Sequence, residues 1–200
     1  MSIHNYANEI VVLQRDCIIN WKHSSIQLTQ KDLLKIVEEN HAFNYQLWQA
    51  EDRARRDDLG FEFVYRAKRE IDHFNQQRNN RMEAMDEWLF KELQPTAAET
   101  CPVHSETPGM MIDRLSILAL KAFHMGLQVN RLDVDASHNQ TCRIKLRIIE
   151  EQQKQLQDCL HQLLSAINDK SRTFKVYHQC KMYNDPNLNP ELYTPRSQHQ

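Results

Sequence analysis

Between Gly60 and Pro95 no glycine or proline interrupts the chain. No other feature constrains the fold as much. A stretch of this length without turn chemistry reads as one helix, about 50 Å long at about 1.5 Å per residue. The rest of the chain agrees. Its 200 residues contain only 3 glycines and 6 prolines. A Rossmann turn, a phosphate-binding loop or a many-stranded β fold needs more glycine at positive φ. Strand-type alternation is absent as well. The expected fold is all-α: a single-domain bundle of about five helices, with an irregular C-terminal tail packed on it.

The first helix is expected over about 2–21, where Ile3, Tyr6, Ile10, Leu13 and Cys17 recur at three- and four-residue steps. The second is expected over about 30–56, with Thr29 as N-cap and Asp32 three residues on. Asp57-Asp58-Leu59-Gly60 breaks it. The third covers 61–93 and is stopped by Pro95. After a loop over 95–106, Thr107 caps a fourth helix over about 108–126. Pro108 stands at its first position and Gly126 just past its end. The fifth covers about 138–168, opened by a Ser137/Gln140 capping box, with Ile149, Leu156, Leu160, Leu163 and Ile167 on its inner stripe. Segment 173–195 places Phe174, Tyr177, Tyr183 and Tyr193 among Asn184-Asp185-Pro186 and Asn189-Pro190, which is turn chemistry. It reads as a tail wrapped on the bundle. Residues 196–200 read as frayed, so the domain covers 1–195.

Composition narrows the partners. A formal net charge of −2 gives no general attraction to nucleic acid or to an anionic membrane. Glu9, Arg15 and Asp16 interrupt the apolar positions near the N-terminus, so neither a signal peptide nor a membrane-inserted span is expected. The 5 cysteines are odd in number and form no CxxC, which reads as free thiols in a reducing cytoplasm.

The informative departure is polar residues on stripes that should be apolar. On the second helix the stripe runs Leu34, Val37, His41, Asn44, Trp48, Glu51, Arg55, with Asp52 beside it. On the third it runs Val64, Lys68, Ile71, Asn75, Arg78, Met82, Met85, Leu89, flanked by Asp72 and Asn79. On the fourth, Arg114, Ile117 or Leu118, Lys121 and Met125 form the stripe, with Asp113 adjoining. Burying such groups is costly unless they are paired or meet a ligand. The shared departure therefore points to one polar chamber between these three helices. A self-satisfied salt-bridge network and a solvated face are the competing readings.

Three strings carry a resemblance: Asn40-His41 through Asn44, Leu47-Trp48, Glu51-Asp52 and Ala54-Arg55; Lys68 through Ile71-Asp72, Asn75-Gln76 and Arg78-Asn79; and Glu106-Thr107-Pro108-Gly109 through Ile112-Asp113-Arg114-Leu115-Ser116-Ile117-Leu118 and Leu120-Lys121. Together they resemble the bacterial domain-of-unknown-function family 4254, all-helical and of about this length. The resemblance implies a part in surface-glycan assembly and no particular reaction.

The candidate ligand-binding residues are His41, Asn44, Trp48, Glu51, Asp52, Lys68, Asp72, Asn75, Arg78, Asn79, Asp113, Arg114 and Lys121. Arg and Lys grip phosphate or carboxylate, the Asn amides read hydroxyls, and Trp48 offers a flat apolar face. A phosphorylated or nucleotide-linked sugar suits that mixture. His41 is the acid–base candidate. No cofactor is expected. A divalent metal on Glu51, Asp52 and Asp72, completed by substrate phosphate, is the hydrolase alternative. Glu38-x-x-His41 and Glu70-x-x-His73 are the sequence basis for a di-iron reading, which lacks further Glu ligands. The non-enzymatic alternative is an adaptor that pairs with itself, as a homodimer, or with a glycosyltransferase.

Overall fold

The computed structural model describes residues 5–180, 182 and 185–193. The expectations for Ile3, Tyr183, Asn184 and 194–200 lie outside the described residues. Helices dominate: α1 (Tyr6–His23), α2 (Asp32–Arg53), α3 (Phe61–Leu93), α4 (Pro108–Val129), α5 (Ala136–Asn168) and a short α6 (Pro190–Tyr193). Among the described residues no strand forms, and a lone parallel bridge joins Val103 to Thr173.

The bundle consists of two hairpins and a crossing helix. Short connections make α2 antiparallel to α3 and α4 antiparallel to α5, and these are the most extensive pairings. α1 lies against α2, α4 and α5. Helices in isolation are marginal, so burial along their inner stripes holds them. Ile10, Leu33, Val37, Met85, Leu89, Ile112, Leu115, Leu160, Leu164 and Ile167 are all buried in one cluster. Each such side chain contributes about 1.5–3 kcal/mol when fully removed from water. On the inner stripe of α5, Leu156, Leu160, Leu163 and Ile167 are buried, while Ile149 is half-buried.

Helix ends follow local chemistry where that chemistry is strong. Thr107 Oγ1 accepts from Met110 N at 3.2 Å, and Pro108 occupies the first turn of α4. Elsewhere tertiary contacts replace the expected signals. Thr29 does not cap α2: Lys31 stands at the N-cap without a side-chain bond. The Thr29 and Gln30 N–H groups instead donate to Glu38 Oε2 at 2.8 and 2.9 Å. Glu38 is buried inside α2, so this carboxylate pins the α1–α2 connection from beneath. α2 ends at Arg53 rather than Arg56, because Asp57–Leu59 forms a 3-10 turn closed by Gly60 at φ 85°. α4 passes through Gly126 to Val129 and is capped at Asn130. α5 is capped by Asp135, whose Oδ1 accepts from His138 N at 2.7 Å, not by Ser137. The Lys170 ammonium donates to the Leu93 and Gln94 carbonyls at 2.7 and 2.8 Å, closing the C-terminus of α3.

The tail returns to the bundle through Phe174, and further on through Gln179 N, which donates to Glu83 Oε1 at 2.7 Å. Phe174 is buried, with its ring edge-on to Phe90 at 5.8 Å. Thr173 stitches the 95–106 loop: its carbonyl accepts from His104 N at 2.7 Å, and its hydroxyl donates to Thr96 O at 2.8 Å. Among the described residues aromatic burial stops there, since Tyr177 and Tyr193 are exposed.

The α3–α4 contact depends on a missing side chain. Gly109 N donates to Asp86 Oδ1 at 2.7 Å. A Cβ at residue 109 would lie 2.5 Å from the Met82 carbonyl oxygen and 2.8 Å from Asp86 Oδ1. The first of these is backbone and cannot rotate away. Gly109→Ala should therefore destabilise the fold by about 2 kcal/mol, as overpacking commonly does. Thermal melting checks this, and an unchanged melting temperature would mean that α4 can slide off α3 without loss.

Candidate functional site

Three helices bring polar side chains together, as the stripes anticipate. The centre is Asp113 of α4, which is buried. Arg78 of α3 meets it with two parallel bonds, Nε to Oδ1 at 2.9 Å and Nη2 to Oδ2 at 2.7 Å. From α2, the Asn40 and Asn44 amides donate to Asp113 Oδ1 at 3.1 and 2.9 Å. Each Asp113 oxygen thus has charged or amide donors, which is what a buried carboxylate requires. Asn40 Nδ2 also lies 3.3 Å from the Arg78 carbonyl.

His41 belongs to this interior and not to an open surface. Its side chain is completely buried. Its ring tilts against Trp21 with centroids 5.4 Å apart. Asn44 donates to Ser116 Oγ at 2.9 Å, so the hydroxyl hydrogen is free to go to His41 Nδ1, 2.7 Å away. That leaves the ring proton to Nε2, which is buried without a hydrogen-bond partner among the described residues, and the Gln14 carbonyl lies near the ring. Burial pushes the His41 pKa down to about 3, against a smaller upward pull from that carbonyl. The ring is therefore neutral at neutral pH, and it is not placed to exchange protons with a bound ligand.

Outside this network lies a cleft of about 370 Å³. Asn44, Trp48, Glu51, Asp52 and Arg78, all expected ligand residues, line it together with Arg55, over a floor of Leu47, Ile117 and Leu120. Trp48 stacks on His124, with centroids 4.4 Å apart and planes at 8°. Burial lowers the His124 pKa, partly offset by Asp52. Glu51 accepts from Arg55 Nη1 at 2.8 Å. Arg78 connects the interior to the cleft. Its Nε and Nη2 are used by Asp113, while among the described residues Nη1 has only a long 3.5 Å contact with Asn75 Oδ1.

The single chamber expected from the sequence does not form. Lys68 is exposed, and Asp72 accepts from it at 3.0 Å and from Arg69 at 2.5 Å. At that level Ala67 and Ile71 hold the inward face, so Lys68 and Asp72, one step further round the helix, point outward. Asn79 is half-buried and stays out of the network. Arg114 and Lys121 turn away from Asp113, to a second cleft between α4 and α5. The metal candidates do not converge: Glu51 is paired with Arg55, and Asp72 with Lys68 and Arg69. Among the described residues no group of three His, Cys, Asp or Glu is placed to hold a metal ion. Glu38 and Glu70 of the di-iron reading are spent on the Thr29–Gln30 backbone and on Arg53.

Asn40 and Ser116 complete the network and were not among the expected ligand residues. The signal was present, since Asn40 stands four residues before Asn44 and Ser116 three after Asp113, both on the inward face. Another cavity, about 900 Å³, lies between α1 and the connection to α2. Its buried carboxylate, Glu38, is already spent on backbone, and burial raises its thiol, Cys17, to about 12. Neither group is free for chemistry.

A family model described as a protein of unknown function, DUF4254, matches residues 34–176, which include every residue of the network and of the Trp48 cleft. No curated protein and no solved structure matches the chain.

Proposed function

The chain belongs to the DUF4254 family of proteins of unknown function, and we propose that it binds a small hydroxylated anion of the sugar-phosphate class in the Trp48–Arg78 cleft. One observation carries this reading. A buried, fully bonded Asp113 grips two nitrogens of Arg78 and leaves the third with donor capacity beside an open cleft. Orienting an arginine in this way lets it meet an anion without losing its own freedom on binding. The Trp48 face suits a sugar ring, and Glu51 and Asp52 suit its hydroxyls. A volume of about 370 Å³ falls in the range of small-ligand sites. The resemblance of the Glu106–Lys121 string supports a part in cytoplasmic steps of bacterial surface-glycan assembly.

Titration calorimetry with a hexose 1-phosphate tests the site. Trp48→Ala and Arg78→Lys should each weaken binding at least tenfold, and the lysine keeps a cation beside Asp113 so that the fold survives. Binding that ignores both substitutions would remove the cleft from consideration.

A second reading, an adaptor for a glycan-assembly enzyme, is favoured by a different observation: Phe61 is 85% and Leu132 99% exposed. Under that reading Phe61→Ser abolishes capture of a glycosyltransferase and Trp48→Ala does not.

A further inference from the structure

We propose that the cleft between α4 and α5 is a second binding site, for a diphosphate-type anion. The cleft holds about 630 Å³. Its ionic lining is Arg114 and Lys121 from α4 and Glu106 from the preceding loop. Glu106 pairs with Arg114. None of the ion pairs among the described residues involves Lys121. The cleft thus carries one cation more than its carboxylate balances.

The lining supplies other polar groups as well. His104 Nδ1 lies 2.6 Å from the Glu106 main-chain carbonyl. A carbonyl only accepts, so Nδ1 carries the hydrogen, and Nε2 is left as an acceptor for a hydroxyl of the ligand. Gln152 and Gln155 bring side-chain amides from α5, and Leu118 and Leu156 give an apolar floor that strengthens electrostatic contacts.

Spacing selects the length of the anion. Arg114 and Lys121 stand seven residues apart on one face of α4, about 10 Å along the axis. Orthophosphate satisfies one of these cations fully. A diphosphate spans both. Ile117 borders this cleft and the Trp48 cleft, yet the site does not depend on what the Trp48 cleft holds.

Calorimetry on the full chain with inorganic pyrophosphate and with orthophosphate, at low salt, tests the proposal. Pyrophosphate should bind at least tenfold tighter than orthophosphate. The Arg114→Gln/Lys121→Gln variant should lose that binding at least tenfold. Lys91→Gln, at an exposed lysine elsewhere, should leave it within twofold. Lys121→Gln alone, at an exposed side chain outside the ion pairs, carries the test if the double variant does not fold. Equal affinity for the two anions, or pyrophosphate binding unchanged in the Lys121→Gln protein, overturns the proposal. A failure of the hexose 1-phosphate experiment leaves it standing.

Discussion

Asp113→Ala is expected to cost about 3–5 kcal/mol of folding stability, because it leaves the Arg78 charge and two amides without their acceptor. Arg78 is largely buried and its Nε and Nη2 both end on Asp113. Asn40 and Asn44 share the same oxygen. Removing one member of a buried pair is far worse than removing both. An Asp113→Leu/Arg78→Met protein should therefore recover much of the loss, and the two sites should be strongly non-additive. Urea denaturation of the single and double variants reads this directly. A cost below about 1 kcal/mol for Asp113→Ala would show that water reaches the carboxylate and that the network is not closed.

Stability should change little between about pH 4 and pH 6 as far as two buried groups are concerned, and single substitutions should expose opposing slopes. Asp86 is buried, and desolvation, with Glu83 nearby, outweighs its bonds to Thr107 and Gly109 and lifts its pKa from 3.8 to about 6. Within that window the native state holds a proton that the unfolded chain has released, so this group makes the fold less stable as pH rises. His41 acts the other way. Its native pKa of about 3 lies below the 6.5 of the unfolded chain, so falling pH protonates the unfolded state first and stability drops. One proton on each side cancels. Relative to the parent protein, Asp86→Asn should lose about 1.4 kcal/mol per pH unit on going down from 6 to 4. His41→Gln should gain about the same. Denaturation midpoints at pH 4, 5 and 6 decide the matter. Curves parallel to the parent would mean that Asp86 and His41 titrate normally.

The candidate site shows how far one-dimensional reading reaches. Asn44, Arg78 and Asp113 stood out as polar residues at inward positions, and they do meet. Lys68 stood out by the same rule, yet it lies in solvent. The rule gives an angle around a helix to within about one residue step, roughly 100°. Lys68 and Ala67 differ by that step, as do Arg114 and Asp113. In each pair one residue goes inward and the other does not. His41 was legible as an inward histidine, but whether a buried ring meets a ligand or a Ser hydroxyl depends on the facing helix.

By itself the sequence determined the class of fold and the spans of its long helices. Glycine and proline are too scarce for much else, and where they do occur, at Gly60, Pro95 and Pro108, they act on neighbouring backbone only. It also determined that polar groups turn inward on three helices, since periodicity is a property of each helix alone. Tertiary structure decided which of those groups touch. It joined Arg78 to Asp113, thirty-five positions further along the chain. It closed helix ends with Glu38 and Lys170, and it split Arg114 and Lys121 from Asp113 into another cleft. Such pairings depend on the distance and rotation between helices, and no local pattern along a single chain encodes either.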